Sequence, residues 1–265
     1  MPSPLLSLDT PVVIAHRGGA GLAPENTLAA VDRAAGLGVA IECDVHLSRD
    51  RVPVVIHDAT LDRTTDASGP VSALTADELA AVDAGCRFRH RADGRSYDGP
   101  RVGVPTLAQV LERSGRLPVV VEVKGHDPAV VPVVLEVITP VAADRPVVIG
   151  GFDEEVLRAV RVHAPDLATS ASGRDVKRAL RRAWFGLSPD TNVYRLFQVP
   201  LMHRGRRVLT RRFARAARRA GLPVHAWVID DPQQMQTLLA WGVTGIITDR
   251  PDLALDVVSR VHGHD

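Results

Sequence analysis

Ala40-Ile41-Glu42-Cys43-Asp44-Val45-His46 is the stretch on which the fold turns. Side chains alternate along a strand, so Glu42, Asp44 and His46 share one face and Ile41, Cys43 and Val45 the other. A second apolar run, residues 52–57, follows closely, and the link Ser48-Arg49-Asp50-Arg51 is turn-like. The two runs read as a hairpin that extends one strand. Outward from this strand, short β-branched runs recur at 12–16, 119–124, 147–151, 167–170, 193–199, 224–229 and 245–248. Patterns at helical spacing separate many of them, at 27–37, 129–141, 154–162, 211–220 and 233–241. Asp153, Asp231-Pro232 and Asp249-Arg250-Pro251 are helix-start signals, and Gly221 and Gly242 sit where helices stop.

Eight strands alternating with helices predict parallel pairing, and eight is the number that closes a (β/α)8 TIM barrel. An open doubly wound sheet is the rival. It would carry a glycine-rich phosphate loop after the first strand, but His16-Arg17-Gly18-Gly19-Ala20-Gly21 has glycines without the G-x-G-x-x-G spacing. Residues 58–105 read as a small insertion after the second strand, rich in Asp, Gly, Thr and Arg, with one short helix at 75–82. An insertion at a strand's C-terminal end lies over a barrel's active site. The expectation is one domain, residues 1–265.

With 45% hydrophobic and 24% charged residues, the chain has the composition of a soluble globular protein large enough to bury a core without staples. A net charge of +1 gives no general pull towards nucleic acid or anionic membrane. One stretch departs from that balance: Arg178, Arg181 and Arg182, then eight arginines from Arg204 to Arg219. Solvated helix faces explain such a run; a patch that attracts anionic lipid or substrate is the other reading. Cys43 and Cys86 offer neither a disulfide framework nor a metal-spaced pair. Met1 to Thr10 lacks the features of a signal peptide, and no run is long enough for a transmembrane span, so a cytoplasmic protein is expected. The oligomeric state is not legible.

The chemistry gathers at strand ends. His16 ends the first run, on the face of Val12 and Ile14, and Glu122 and Lys124 share a face of the third. Carboxylates inside a barrel are costly unless paired or bound to metal. Glu42, Asp44 and Glu122 therefore form either a site for a hard divalent cation, whose oxygen ligands favour Mg2+, Ca2+ or Mn2+ over zinc, or an ion-pair network with Lys124 and Arg17. His16 and His57 each end an apolar run, and each precedes a charged residue. Two histidines, three carboxylates, an arginine and a lysine are what phosphodiester hydrolysis requires: a base, an acid, and cations for the phosphoryl oxygens.

The same residues fall in a series of motifs. His16-Arg17-Gly18 is followed by Pro24-Glu25-Asn26-Thr27, Glu42-Cys43-Asp44-Val45 and Val52-Pro53-Val54-Val55-Ile56-His57-Asp58. Leu61-Asp62-Arg63-Thr64-Thr65, Pro105-Thr106-Leu107, Val121-Glu122-Val123-Lys124 and Gly245-Ile246-Ile247-Thr248-Asp249-Arg250-Pro251 complete it. In this order and spacing the sequence resembles the glycerophosphodiester phosphodiesterase family. The resemblance implies a barrel with an insertion after the second strand. It implies a divalent cation, Mg2+ or Ca2+ with Mn2+ possible, on Glu42, Asp44 and Glu122, and His16 and His57 as the acid–base pair. It places Arg17 and Lys124 on the phosphate, Asn26 near the site, and Trp227, on the face of His225, as an aromatic at the pocket rim; plain core packing is the alternative for Trp227.

The chain departs from the family pattern in places. Arg51 stands where a hairpin glycine is common, which predicts a longer or looser hairpin. His46 adds a third histidine, which reads as a solvated strand end, with a second-layer group or a substrate contact as the alternatives. Residues 171–210 match the family poorly, and their loops would shape the leaving-group pocket. The activity implied is hydrolysis of a glycerophosphodiester to an alcohol and glycerol 3-phosphate. A lysophospholipase D would keep the machinery and add an apolar groove, lined for instance by Trp184, Phe185 and Phe197. A catalytically silent glycerophosphate-binding module would lack a histidine or carboxylate, and none is missing.

Overall fold

Eight parallel strands curl around the site: Val12–Ala15 (β1), Ala40–Leu47 (β2), Val119–Val123 (β3), Val147–Gly150 (β4), Ala168–Thr169 (β5), Phe197–Pro200 (β6), Val224–Trp227 (β7) and Gly245–Thr248 (β8). They pair in the order β5-β4-β3-β2-β1-β8-β7-β6. Between the first and last of that series a parallel bridge, Ser170 to Leu196, closes the (β/α)8 TIM barrel. The Ala171 N–H donates to the Leu196 carbonyl at 2.9 Å there, and the Arg195 N–H to the Thr169 carbonyl at 3.0 Å. The architecture comes from a computed structural model that describes residues 3–190 and 193–262. Met1, Pro2, Thr191, Asn192 and residues 263–265 lie outside the described residues, as do both ends of the expected 1–265 domain.

The helices are Leu28–Leu37 (α1), Ala76–Ala81 (α2), Leu107–Arg113 (α3), Val131–Ala142 (α4), Glu154–His163 (α5), Gly173–Trp184 (α6), Arg211–Arg219 (α7), Pro232–Ala240 (α8) and Pro251–His262 (α9). Their starts are chemically marked. Thr27, Asp153, Thr210 and Asp231 accept backbone N–H groups of the first turn, and Thr106 with Gln109 and Ser172 with Asp175 form capping boxes. The outward strand faces pack under these helices in one large core that includes Val13, Ile41, Cys43, Val121, Ile149, Phe197 and Val224. The inward faces make a smaller cluster of Ile14, Ala40, Val120, Val148, Leu196 and Ile247. Leu5, from the short 3-10 turn Pro4–Leu6, is fully buried in that cluster and plugs the barrel floor.

The expected elements shift in instructive ways. β1 stops at Ala15 because His16–Gly18 forms a 3-10 turn in which Arg17 and Gly18 have φ of 53° and 80°. The run at 193–199 becomes a continuous strand only from Phe197, after the single bridge at Leu196, and Val193 is exposed. Helices α3 and α6 were absent from the periodic patterns; α3 is short, and α6 is so rich in arginine that few apolar residues mark its face. The run at 52–57 does form a hairpin: Pro53–Val55 lies antiparallel to β2, with Val54 opposite His46. The hairpin is longer than a two-residue turn, as Arg51 predicts, with three residues, 49–51, in its loop, but it is well ordered rather than loose. The Ser48 N–H donates to the Val52 carbonyl and the Arg51 N–H to the Ser48 carbonyl, both at 3.0 Å, because Arg51 itself adopts φ of 63°. The insertion has its own small core, including Ile56, Leu61, Val71, Leu79 and Val104, which holds it against the hairpin.

Candidate active site

The C-terminal strand ends surround a cavity of about 450 Å³, walled on one side by His16, Arg17, Glu42, Asp44, Glu122 and Lys124. Backbone geometry brings them together. β2 and β3 pair with Asp44 opposite Glu122, so both carboxylates enter at one level. After β1 the chain folds back over β2, and the Arg17 N–H donates to Glu42 Oε2 at 2.9 Å. Gly18 is required there: a Cβ would lie 2.7 Å from that of Ala30, besides the positive φ.

Each expected histidine is held at one ring nitrogen. His16 Nδ1 is 2.7 Å from Asp249 Oδ1, and His57 Nδ1 is 2.6 Å from Asp58 Oδ1. Both contacts leave Nε2 for other partners. Burial pulls the His16 pKa down, but the bond to Asp249 and the charge of Glu42 outweigh it and hold it above the ordinary value. Arginines back both carboxylates. Arg63 Nε donates to Asp58 Oδ2 at 2.6 Å, and this bond, with that of His57, overcomes desolvation and holds the Asp58 carboxyl at about 2. Arg91 Nη1 donates to Asp249 Oδ2 at 2.8 Å and also pairs with Asp230. Both arginines come from the insertion, which therefore braces the site from above.

Glu42, Asp44 and Glu122 each place a carboxylate oxygen within 4.8 Å of the other two. Lys124 Nζ lies 2.8 Å from Asp44 Oδ1 and 2.5 Å from Glu122 Oε1, and Arg17 Nε lies 3.4 Å from Asp44 Oδ2. The ion-pair network anticipated from sequence is thus present at two of the three carboxylates. Desolvation would raise the Asp44 carboxyl, but Lys124 and Arg17 outweigh it and hold it below its usual range. Glu42 differs: among the described residues no lysine or arginine side chain pairs with it. Burial, and then the charge of Asp44, push its carboxyl up to about 8. A buried carboxylate short of positive charge, beside two more oxygen donors, fits a hard divalent cation.

The remaining expected residues fall around this centre. Asn26, buried with φ of 57°, donates from Nδ2 to Asp44 Oδ2 at 2.9 Å and orients that carboxylate. Trp227 lines the cavity and packs edge-on against Phe152 with ring centroids 5.7 Å apart, so it belongs to the rim as well as to the inner cluster. His46 is not a solvated strand end. It is half-buried, and its Nε2 is 3.1 Å from the His57 carbonyl, where it ties β2 to the segment bearing His57. The groove anticipated from Trp184, Phe185 and Phe197 is also corrected. Phe197 is wholly buried against Tyr194 and Phe213, while Trp184 and Phe185 are exposed and do not line the cavity. The apolar wall is made instead by Phe152, Val176, Leu180, Pro200, Val208 and Val228. The motifs contain Asp58 and Asp249, but the motifs alone give neither them nor Arg91 a place at the site. The alternation Gly245, Ile247, Asp249 along β8 would have placed Asp249 beside His16; Arg91 carries no such signal.

The description "Glycerophosphoryl diester phosphodiesterase family" belongs to the family model that matches residues 16–253. A glycerophosphodiester phosphodiesterase of Caldanaerobacter subterraneus is 31% identical over 260 residues, covering 94% of this chain and 98% of its own. One from Bacillus subtilis is 29% identical over 94% of this chain and 87% of its own. Among solved structures, an Oleispira antarctica phosphodiesterase in complex with the product sn-glycerol-3-phosphate superposes with a TM-score of 0.78 at 25% identity, over 94% of this chain and 97% of that one.

Proposed function

The chain is an enzyme that belongs to the glycerophosphoryl diester phosphodiesterase family, and from that premise we propose that it cleaves glycerophosphodiesters to an alcohol and glycerol 3-phosphate by histidine acid–base chemistry beside a carboxylate-bound cation. The observation that carries this reading is the pair of carboxylate-held histidines at the same cavity as the acidic triad. Arg17 and Lys124 meet the charge of the phosphoryl oxygens, the guanidinium with two donors and the ammonium as a point charge. In the first step the neighbouring glycerol hydroxyl forms a bond to phosphorus and the bond to the leaving alkoxide breaks. One histidine takes the hydroxyl proton at Nε2, and the other gives its Nε2 proton to the alkoxide. Water then opens the cyclic phosphate with the two roles exchanged. Asp58 and Asp249 hold the rings in position throughout. Glu42, Asp44 and Glu122 would hold the divalent cation, Mg2+ or Ca2+, or Mn2+, which would supply positive charge to polarise the phosphoryl group. The reading takes residues 1–265 as one domain working in the cytoplasm on a small-molecule substrate.

The test is release of glycerol 3-phosphate from several glycerophosphodiesters, with and without EDTA, in wild type and in His16→Ala and His57→Ala. Full activity in the chelator removes the cation; undiminished activity in either variant removes the acid–base assignment.

The apolar wall favours a second reading. Phe152, Leu180, Pro200 and Val228 offer an acyl chain a surface that a choline or ethanolamine leaving group does not use. A lysophospholipase D preference would appear as a higher kcat/KM for a lysophospholipid than for its deacylated headgroup. The reverse order would discard it.

A further inference from the structure

The segment from Arg174 to Arg219 holds fourteen of the chain's 32 lysines and arginines but only two of its 31 acidic residues, Asp175 and Asp190. The near-neutral total therefore hides a strongly basic side on an otherwise acidic molecule. Helix α7 concentrates it. Phe213, Ala214, Ala216 and Ala217 are buried, while Arg211, Arg212, Arg215, Arg218 and Arg219 are exposed. Arg211, Arg215 and Arg219 have no carboxylate partner among the described residues, and with Arg212 and Gly186 they line a shallow concavity of about 290 Å³.

Beside this basic face the C-terminal end of α6 puts three large apolar side chains in water: Trp184 at 74% exposure, Phe185 at 77% and Leu187 at 52%. They adjoin the arginines directly. The Arg212 guanidinium carbon lies 5.9 Å from the centre of the Trp184 ring, and its Nη1 donates to the Trp184 carbonyl at 3.1 Å. Exposed aromatics on one turn are costly in a soluble protein unless they insert into something. Here they form an apolar tip beside the arginines, with Gly186 sharing their concavity.

We propose that this α6–α7 face is a docking surface for an anionic lipid bilayer, with Trp184, Phe185 and Leu187 entering the interface and the α7 arginines meeting lipid phosphates. Tryptophan prefers the bilayer interface, and arginine stems can lie along apolar surface while their heads stay among phosphates. The excess of cations without local carboxylates complements an anionic leaflet. Nucleic acid would want stacking aromatics spread along a groove, whereas an aliphatic side chain and two aromatics share a single turn here. Val176, Leu180 and Trp184 recur at every fourth residue of α6, so one apolar line runs from the cavity wall to the proposed interface. That continuity brings the site close to substrates held in a membrane.

Vesicle flotation tests the proposal, using phosphatidylcholine vesicles with and without one-third phosphatidylglycerol. We expect binding to the anionic vesicles at least about tenfold tighter than to the neutral ones, and lost as salt is raised. Trp184→Ser/Phe185→Ser and Arg211→Gln/Arg215→Gln/Arg219→Gln should each weaken that binding by about tenfold or more while retaining wild-type circular dichroism and melting. Equal partitioning onto both vesicle types, or wild-type binding by either folded variant, overturns it. So does light scattering that shows a dimer dissolved by the Trp184/Phe185 change together with no vesicle binding, since the face would then cover a second copy.

Discussion

The two ends of the barrel interior follow one alternating pattern and hold opposite chemistry. At the floor Leu5, Ile14, Ala40, Val148 and Ile247 pack around a single ionisable group, His225, which is wholly buried with neither ring nitrogen hydrogen-bonded among the described residues. At the mouth, two residues further along the strands, histidine, arginine, lysine and three carboxylates crowd together with most contacts satisfied. The barrel thus holds many charges where they answer one another, and below them only a few polar atoms without partners among the described residues, those of His225 and the amide nitrogen of its register neighbour Gln198. The exception at each end is informative. His225 is kept neutral by its surroundings, and Glu42 is the acid that its neighbours leave uncompensated.

That contrast can be broken by experiment. The largest effect is expected at the mouth: His16→Ala should lower kcat by about a thousandfold while melting stays within a few degrees of wild type, as measured by steady-state kinetics and calorimetry. The floor should respond the other way. A Cβ at Gly245 would collide with the His225 ring. Gly245→Ala should therefore cost about 3 kcal/mol and lower Tm by roughly 6–12 °C with little change in activity per folded molecule. An unchanged Tm would show that the floor yields more readily than its packing suggests.

Two smaller effects concern pH. The Glu42 carboxyl is raised to about 8, so the folded state holds a proton that the unfolded chain releases near the ordinary carboxylate value. In chelator, stability should fall as pH rises from about 4.5 to 8, and Glu42→Gln should flatten that fall and melt a few degrees higher at pH 8. A divalent cation should raise the wild-type Tm and do less for the variant. His225 runs in the opposite sense. Its pKa is lowered to about 4 by burial, so stability should be lost as pH falls from about 6.5 towards 4. His225→Leu should remove a degree or two of that loss in pH-dependent melting; an identical acid limb would mean that water or a rearrangement reaches the ring.

Much of the mouth was legible before any coordinates. Two-residue alternation put Glu42 and Asp44 on one face of β2 and Glu122 and Lys124 on one face of β3, and parallel pairing brought the faces together. His57 was legible as the end of a hairpin arm. The braces were not. Arg63 and Arg91 reach the histidine carboxylates from an insertion with little periodic pattern, and nothing local marks which of its many arginines turns inward. Helix α6 was hidden for a related reason: its buried face is only alanine and a few aliphatics, too small a signal among so many arginines. His46 was misjudged because its partner is a backbone carbonyl, which no side-chain pattern records.

Leu5 carries a consequence for how the molecule comes into being. It precedes every strand that surrounds it, yet its seat includes Ile247, contributed near the far end of the chain. During synthesis the seat of Leu5 is complete only when the last strand arrives. Such a contact spans almost the longest loop the sequence allows, so its formation is expected late and slow. A barrel lacking its final strand would leave the Ile247 side of Leu5 uncovered, so the floor is completed only by the last element of the ring.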